Sequence, residues 1–356
     1  MKRLLNVSPG PTALPNKVFK KIQSDMSNKF INGKSPLEIS HRSDEFKYLL
    51  KNIKHKISHF MNIPSNYSIL FTQAGASAQF SSIINNLHYC NKVLYIISGL
   101  WSKKAYNETK KYSINSNSIN IYDYYINKKD TQLYDYIYFC DNETIDGIQL
   151  NLYPERTHDD CLIVSDMSSS FGQKLINWNN FDIVFASTSK NMGIAGTNIL
   201  IMNNNVIDKL NKVNNIPSVL DWKLYYETQS LYNTPSVFNF YVLDTILDYY
   251  IDIGTISDFD KLTMKKGEMI YNILDKHEFI EAIVESKSLR SNINIPFKIK
   301  NNDVDKFLNY CERNNIIGVN TDIPFNNQSQ QLRFNLYNHL SLKDTENLST
   351  IINNYK

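Results

Sequence analysis

Six short apolar runs, each ending in a small or polar residue, limit what this chain can become. They are "YSILFT" from residue 67, "KVLYIIS" from 92, "DYIYFC" from 135, "CLIVSD" from 161, "FDIVFAST" from 181 and "TNILIM" from 197. Short runs rich in Ile, Val, Tyr and Phe, bounded by Gly, Asn, Asp and Ser, read as buried strands. Polar segments long enough for helices separate most of them, the pattern of an α/β fold with helices on both faces of the sheet. The last two runs are joined only by "SKNMGIAG", too short for a crossover helix. "TNILIM" is therefore expected antiparallel to its predecessor, in a sheet that is otherwise mostly parallel.

Before the strands, "NKVFKKIQSDM" places Val18, Ile22 and Met26 on one helical face, and "SDEFKYLLKNIKHKISHFM" gives a second helix. From about residue 236 the texture changes. Two long helical stretches lead into "SNINIPFKI", "NIIGVN" and "LRFNLYN", strands interleaved with helices. The expected division is a large domain over 16–240 and a smaller α+β domain over 241–356, to which residues 1–15 return.

A net charge of +3 gives no basis for a nucleic-acid partner. No apolar run has the length of a membrane span, and "MKRLLNVSPGPTALP" lacks the apolar stretch of a signal peptide, so the expected location is the cytoplasm. The cysteines, Cys90, Cys140, Cys161 and Cys311, contain no CxxC pair. His55 and His59 have a zinc-compatible helical spacing, but their lysine-rich surroundings offer no third ligand and fit a solvated face. No metal site is expected. There is no GxGxxG and no GxxxxGK[ST], which leaves dinucleotide and P-loop chemistry without support.

In an open α/β sheet, ligands bind beyond the carboxyl ends of the strands. "TQAGASAQF" follows the first run, with small residues opening a helix. "GLW" follows the second and supplies Trp101. "DNETIDG" follows the third, with Thr144; Asp166 ends the fourth; Lys190 stands in "TSKN" after the fifth. Each has an ordinary explanation alone: a tight helix packing, a core indole, a helix cap, a solvated amine. Together they match the needs of pyridoxal phosphate. That cofactor requires a lysine for covalent attachment and an acid at its ring nitrogen. It also requires backbone N–H groups at a helix N-terminus for its phosphate.

With these motifs in place, the chain resembles the phosphoserine aminotransferase family, fold-type I pyridoxal-phosphate enzymes of class V. The resemblance runs through "NVSPGPTALP", "EISHRSDEF", "LFTQAGASAQF", "GLWSKKAYNE", "NETIDGI", "SDMSSSF", "SKNMGIAG", "NTPSVFNFY" and "LRFNLYN". It implies a homodimer with shared active sites that interconverts 3-phosphohydroxypyruvate and L-glutamate with O-phospho-L-serine and 2-oxoglutarate. Members of the family also act in pyridoxine synthesis. By the same resemblance, Lys190 would carry the cofactor, Asp166 its ring nitrogen's partner, and Trp101 the stacking ring. Thr144 would bond the cofactor, while Ala76, Ser77 and Ser189 would hold its phosphate, with Asn233 and Thr234 reaching it from the other subunit. Arg333 would take the substrate α-carboxylate. Pro9, His41 and Arg42 would complete the substrate site, the last two at its second acidic group.

The sequence departs from the family in three places. Ser189 stands where a glutamine is usual. Asn326, in "NNQSQQ", falls where a phosphate-binding histidine is usual, and "QAGASAQ" keeps only Gly75 of a glycine-rich turn. Related alternatives are an aminotransferase of shifted specificity, a cysteine desulfurase of this fold using Cys311, and a dimer that has lost activity.

Overall fold

The computed structural model describes residues 4–28, 32–126, 132–210, 215–300, 303–319 and 331–356. It opens with β1 (Leu5–Asn6), α1 (Asn16–Asn28), α2 (Asp44–Phe60), β2 (Tyr67–Gln73) and α3 (Ala76–Asn86). Next come β3 (Lys92–Ile97), α4 (Leu100–Thr109), β4 (Asn115–Asn120), α5 (Ile121–Ile126), β5 (Tyr136–Cys140), β6 (Leu162–Asp166), β7 (Ile183–Ser187) and β8 (Thr197–Asn203). Helices α6 (Asn204–Leu210), α7 (Trp222–Glu227), α8 (Val237–Ile253) and α9 (Ile256–Leu274) follow. The chain closes with β9 (Ile280–Ala282), β10 (Asn294–Ile299), α10 (Val304–Arg313), β11 (Ile316–Ile317), β12 (Leu332–Asn335) and α11 (Leu342–Asn353).

The large sheet has seven strands in the order β2-β8-β7-β6-β5-β3-β4. Strand β8 runs antiparallel to both of its neighbours and every other pairing is parallel. The short "SKNMGIAG" connection permits nothing else. Strands β5, β6 and β7 are buried along their whole length, which explains their unbroken apolar character: both faces are covered. Alternate side chains go to opposite layers. Ile137 and Phe139 join α2 and α8, while Tyr136 and Tyr138 join α3, α4 and α7. Strand β4, "NSNSIN", is absent from the six apolar runs because it lies at the sheet edge and is mostly exposed or half-buried.

The C-terminal part builds an antiparallel sheet, β12-β10-β9, and β1 pairs in parallel with β11. The expected boundary at 240/241 falls in the first turn of α8, whose Phe240, Val242, Leu243, Ile246 and Tyr250 pack in the core of the large sheet. The change of core comes within α9: Ile256 and Phe259 face the large core, Ile270 and Leu274 the small one.

Candidate active site

Because only β8 is reversed, the carboxyl ends of β2, β3, β5, β6 and β7 open on one edge, and the chemistry gathers there. Lys190 follows β7 in a tight turn. Its Nζ donates to the Pro9 carbonyl at 2.5 Å and lies 5.9 Å from the Tyr337 ring centroid. The N-terminal segment crosses directly over it. A Cβ on Gly10, whose φ is +129°, would sit 2.4 Å from that amine, so only glycine permits the crossing. Thr12 seals the segment through its N–H to the Ser189 carbonyl (3.1 Å) and its hydroxyl to the Lys190 carbonyl. Burial, then the Arg333 cation, draw the Lys190 amine down to about 8 against the opposing pull of Asp166.

Asp166 ends β6 and is 4 % exposed. Its Oδ1 accepts from the Ser168 N–H at 2.9 Å. Burial pushes the carboxyl up to about 6, with Ser168 and Lys190 pulling it down and Asp141 adding to the rise. A buried acid raised in this way despite Lys190 would be held charged by a further cation, such as a protonated ring nitrogen.

Across the edge, Trp101 Nε1 donates to Thr144 Oγ1 at 2.8 Å. Lys104 Nζ lies over the Trp101 ring, 4.6 Å from its centroid. Arg333, on β12, is 4 % exposed and donates through Nη1 to the Thr144 carbonyl; among the described residues its Nε is buried without a hydrogen-bond partner. An unpaired guanidinium N–H at that depth fits a carboxylate ligand.

Helix α3 starts where β2 ends, and its N-cap, Gly75, makes no side-chain cap, so Ala76 and Ser77 open an unsealed N-terminus suited to phosphate. The sequence drew attention to Gly75, yet the left-handed residue is Ala74, at φ 75°. It is pinned from β8: Ala74 N–H donates to the Gly196 carbonyl (3.1 Å), and Asn198 Nδ2 to the Ala74 carbonyl (2.9 Å). Ser189 Oγ shares a 3.0 Å hydrogen bond with Ser187 Oγ.

His41, Arg42, Asn233 and Thr234 come together elsewhere. They line an open surface cleft with Lys47, Thr228, Leu231 and Tyr232, and none of Lys190, Asp166, Trp101, Thr144 or Arg333 lines it. Arg42 is not neutralised by its acidic neighbours: Asp44 pairs with Lys47 at 2.9 Å and Glu45 with Lys34 at 3.8 Å. Asn326 lies outside the described residues. Cys311 is buried in α10, where burial pushes its thiol up to about 12, which removes it as a nucleophile.

One residue that strand-end logic misses is Asn191. Its Nδ2 is within 3.2 Å of the carbonyls of Ser169 and Phe171 and 3.0 Å from Gln173 Oε1; its Oδ1 accepts from the Asn338 N–H at 3.2 Å. It ties the lysine turn to the segment after Asp166 and to the one after Arg333. Its only sequence signal is its position next to Lys190.

Fold and site together define a class of enzyme. Residues 4–348 match the aminotransferase class-V family, and the chain belongs to it. Within that class its relatives are phosphoserine aminotransferases. The one from Blochmanniella floridana is 31% identical, with 99% of this chain and 98% of that protein covered. The one from Buchnera aphidicola subsp. Baizongia pistaciae is 34% identical over 84% of this chain and 83% of that protein. The solved structure of pyridoxal-phosphate-bound phosphoserine aminotransferase from Trichomonas vaginalis superposes with a TM-score of 0.86 at 25% identity, covering 98% of this chain and 99% of that one.

Proposed function

We propose that this chain is a pyridoxal-phosphate-dependent phosphoserine aminotransferase, interconverting 3-phosphohydroxypyruvate and L-glutamate with O-phospho-L-serine and 2-oxoglutarate. The observation that carries the proposal is the convergence of Lys190, Asp166, Trp101, Thr144 and Arg333 at one sheet edge, with the Arg333 Nε buried and unpaired. The residues fit the cofactor. Bound there, it would supply an electron sink for the substrate α-carbon. Lys190 would hold it through Nζ, and the same amine, drawn down by burial, would be the group placed to hold a proton beside the substrate α-carbon. Asp166 would pair with its ring nitrogen, Trp101 and Thr144 would hold its ring, the first turn of α3 with Ala76, Ser77 and Ser189 would receive its phosphate, and Arg333 would orient the substrate carboxylate. Pro9 contributes its carbonyl, which holds the Lys190 amine.

The same proposal includes a homodimer. His41, Arg42, Asn233 and Thr234 present cationic and hydrogen-bonding groups in a cleft that lacks the cofactor lysine. They are assigned to the partner's site, with His41 and Arg42 at the substrate's second acidic group and Asn233 and Thr234 at the cofactor phosphate. No helix among the described residues is long and apolar enough to cross a membrane; the enzyme is assigned to the cytoplasm.

The test is a half-reaction on cofactor-loaded protein, following the visible band of the lysine-bound cofactor. Phosphoserine and glutamate, but not serine, are expected to bleach it. An aminotransferase of shifted specificity is the second reading, favoured by the missing histidine at Asn326. Bleaching by glutamate alone selects it, and no visible band at all rejects both.

A further inference from the structure

Helix α4, which carries Trp101, starts with a residue that cannot cap it. Gly99 occupies the N-cap and makes no side-chain cap, so the first backbone N–H groups need acceptors from elsewhere. The turn after β5 provides them. Leu100 N–H donates to Asp146 Oδ2 (2.8 Å), Trp101 N–H to Glu143 Oε2 (2.9 Å), and Ser102 N–H to Glu143 Oε1 (2.7 Å). The Ser102 hydroxyl donates to that same Glu143 oxygen at 2.7 Å. The approach is so close that a Cβ on Gly99 would lie 2.3 Å from Asp146 Oδ2 and 2.8 Å from Glu143 Cδ.

Ending a helix does not require this arrangement, since a serine or aspartate at position 99 would suffice. Placing two acids here is costly: burial and the neighbouring Asp146 push Glu143 up to about 8, and burial raises Asp146 as well. What the arrangement adds is a fixed relation between α4 and the turn. That turn also receives β12: Arg333 Nη1 donates to the Thr144 carbonyl and Gln331 Nε2 to the Ile145 carbonyl at 2.6 Å.

We propose that Glu143 and Asp146 are positioning residues that make the turn 143–146 a common mount for the stacking ring of Trp101 and the carboxylate-binding fork of Arg333, a role that rests on the functions assigned above to those two residues. Disturbing the cap should then shift cofactor binding and substrate KM together, through the residues the two acids hold.

The experiment compares E143A, E143Q and D146A as full-length, cofactor-loaded proteins. It measures the half-saturating concentration of pyridoxal phosphate, the circular dichroism of the bound cofactor, and KM for glutamate and phosphoserine. E143A is expected to weaken the dichroic band and to raise both the half-saturating concentration and KM about tenfold, the size of a lost cap. E143Q keeps an acceptor for Ser102 but sets an NH2 donor against the Trp101 N–H, and should recover only part of each effect. D146A loses a single contact and should move both quantities about threefold in the same direction. A lowered melting temperature with dichroism, half-saturation and KM unchanged in E143A overturns the proposal. If E143A does not fold, unchanged values in D146A overturn it equally. W101F and R333K keep the two failures apart: should W101F leave the dichroism intact and R333K leave KM intact, the functions of Trp101 and Arg333 are wrong, whatever the acids do.

Discussion

The sheet edge and the cleft beside α2 both collect charged and polar groups, but they hold them in different ways. At the edge, Lys190 is bonded to Pro9, Asp166 to Ser168, Trp101 to Thr144 and Arg333 to the turn after β5, and burial moves the proton affinities of Lys190 and Asp166. In the cleft, Arg42, Asn233 and Thr234 are exposed, and among the described residues no ion pair holds Arg42. An enclosed set is tuned before any ligand arrives, whereas an open set is completed by what docks on it.

The contrast is tested most severely by K190A. Removing the attachment point and proton carrier should cut turnover by about 10³-fold or more, read in the half-reaction; residual turnover within tenfold of the parent would move the chemistry away from the sheet edge. Next in size is D166N. Because the folded carboxyl is raised from 3.8 to about 6, the folded state binds more protons than the unfolded state between those values, and stability falls as pH rises through that window. Asparagine has no such loss. Cofactor-free D166N should therefore be more stable than the parent above pH 6, by on the order of 3 kcal/mol, with the difference vanishing below about pH 4. Denaturant titrations across that range would show it, and a constant difference would mean the site is wetter than described.

Arg42 should matter less. R42A is expected to lose about tenfold in kcat/KM for phosphoserine, the scale of one charge-assisted contact. Mixed with K190A and allowed to exchange subunits, it should yield more activity than the two proteins assayed apart. No gain on mixing would place the cleft outside the partner's site. Smallest is A74G, which relieves a left-handed alanine and should stabilise the protein by up to about 1 kcal/mol in thermal unfolding; destabilisation would mean that the methyl group packs usefully.

The parts of the site legible in the sequence are those that strands deliver locally. Trp101, Thr144, Asp166 and Lys190 each lie within a few residues of an apolar run, and the brevity of "SKNMGIAG" alone fixed the reversed strand. Contacts made across the chain were not legible. Nothing near Gly99 announces that its helix is capped by Glu143 and Asp146, and nothing near Pro9 announces that its carbonyl meets Lys190. The strained position of the phosphate turn fell on Ala74 instead of Gly75 because backbone angles there are set by β8, which follows more than a hundred residues later. Helix α8 straddles the expected boundary for a related reason: a largely apolar helix does not say which core it fills.

The strap over Lys190 has a consequence for how the enzyme comes into being. Val7 is held by Asn335 Nδ2 at its carbonyl (2.7 Å), His339 Nε2 lies 2.8 Å from the Asn6 carbonyl, and β1 lies against β11. A ribosome makes these N-terminal residues early and their anchors more than three hundred residues later. The large sheet can assemble while synthesis continues, but the reactive amine cannot be roofed until the far end of the chain has emerged. An unfinished polypeptide thus carries Lys190 uncovered.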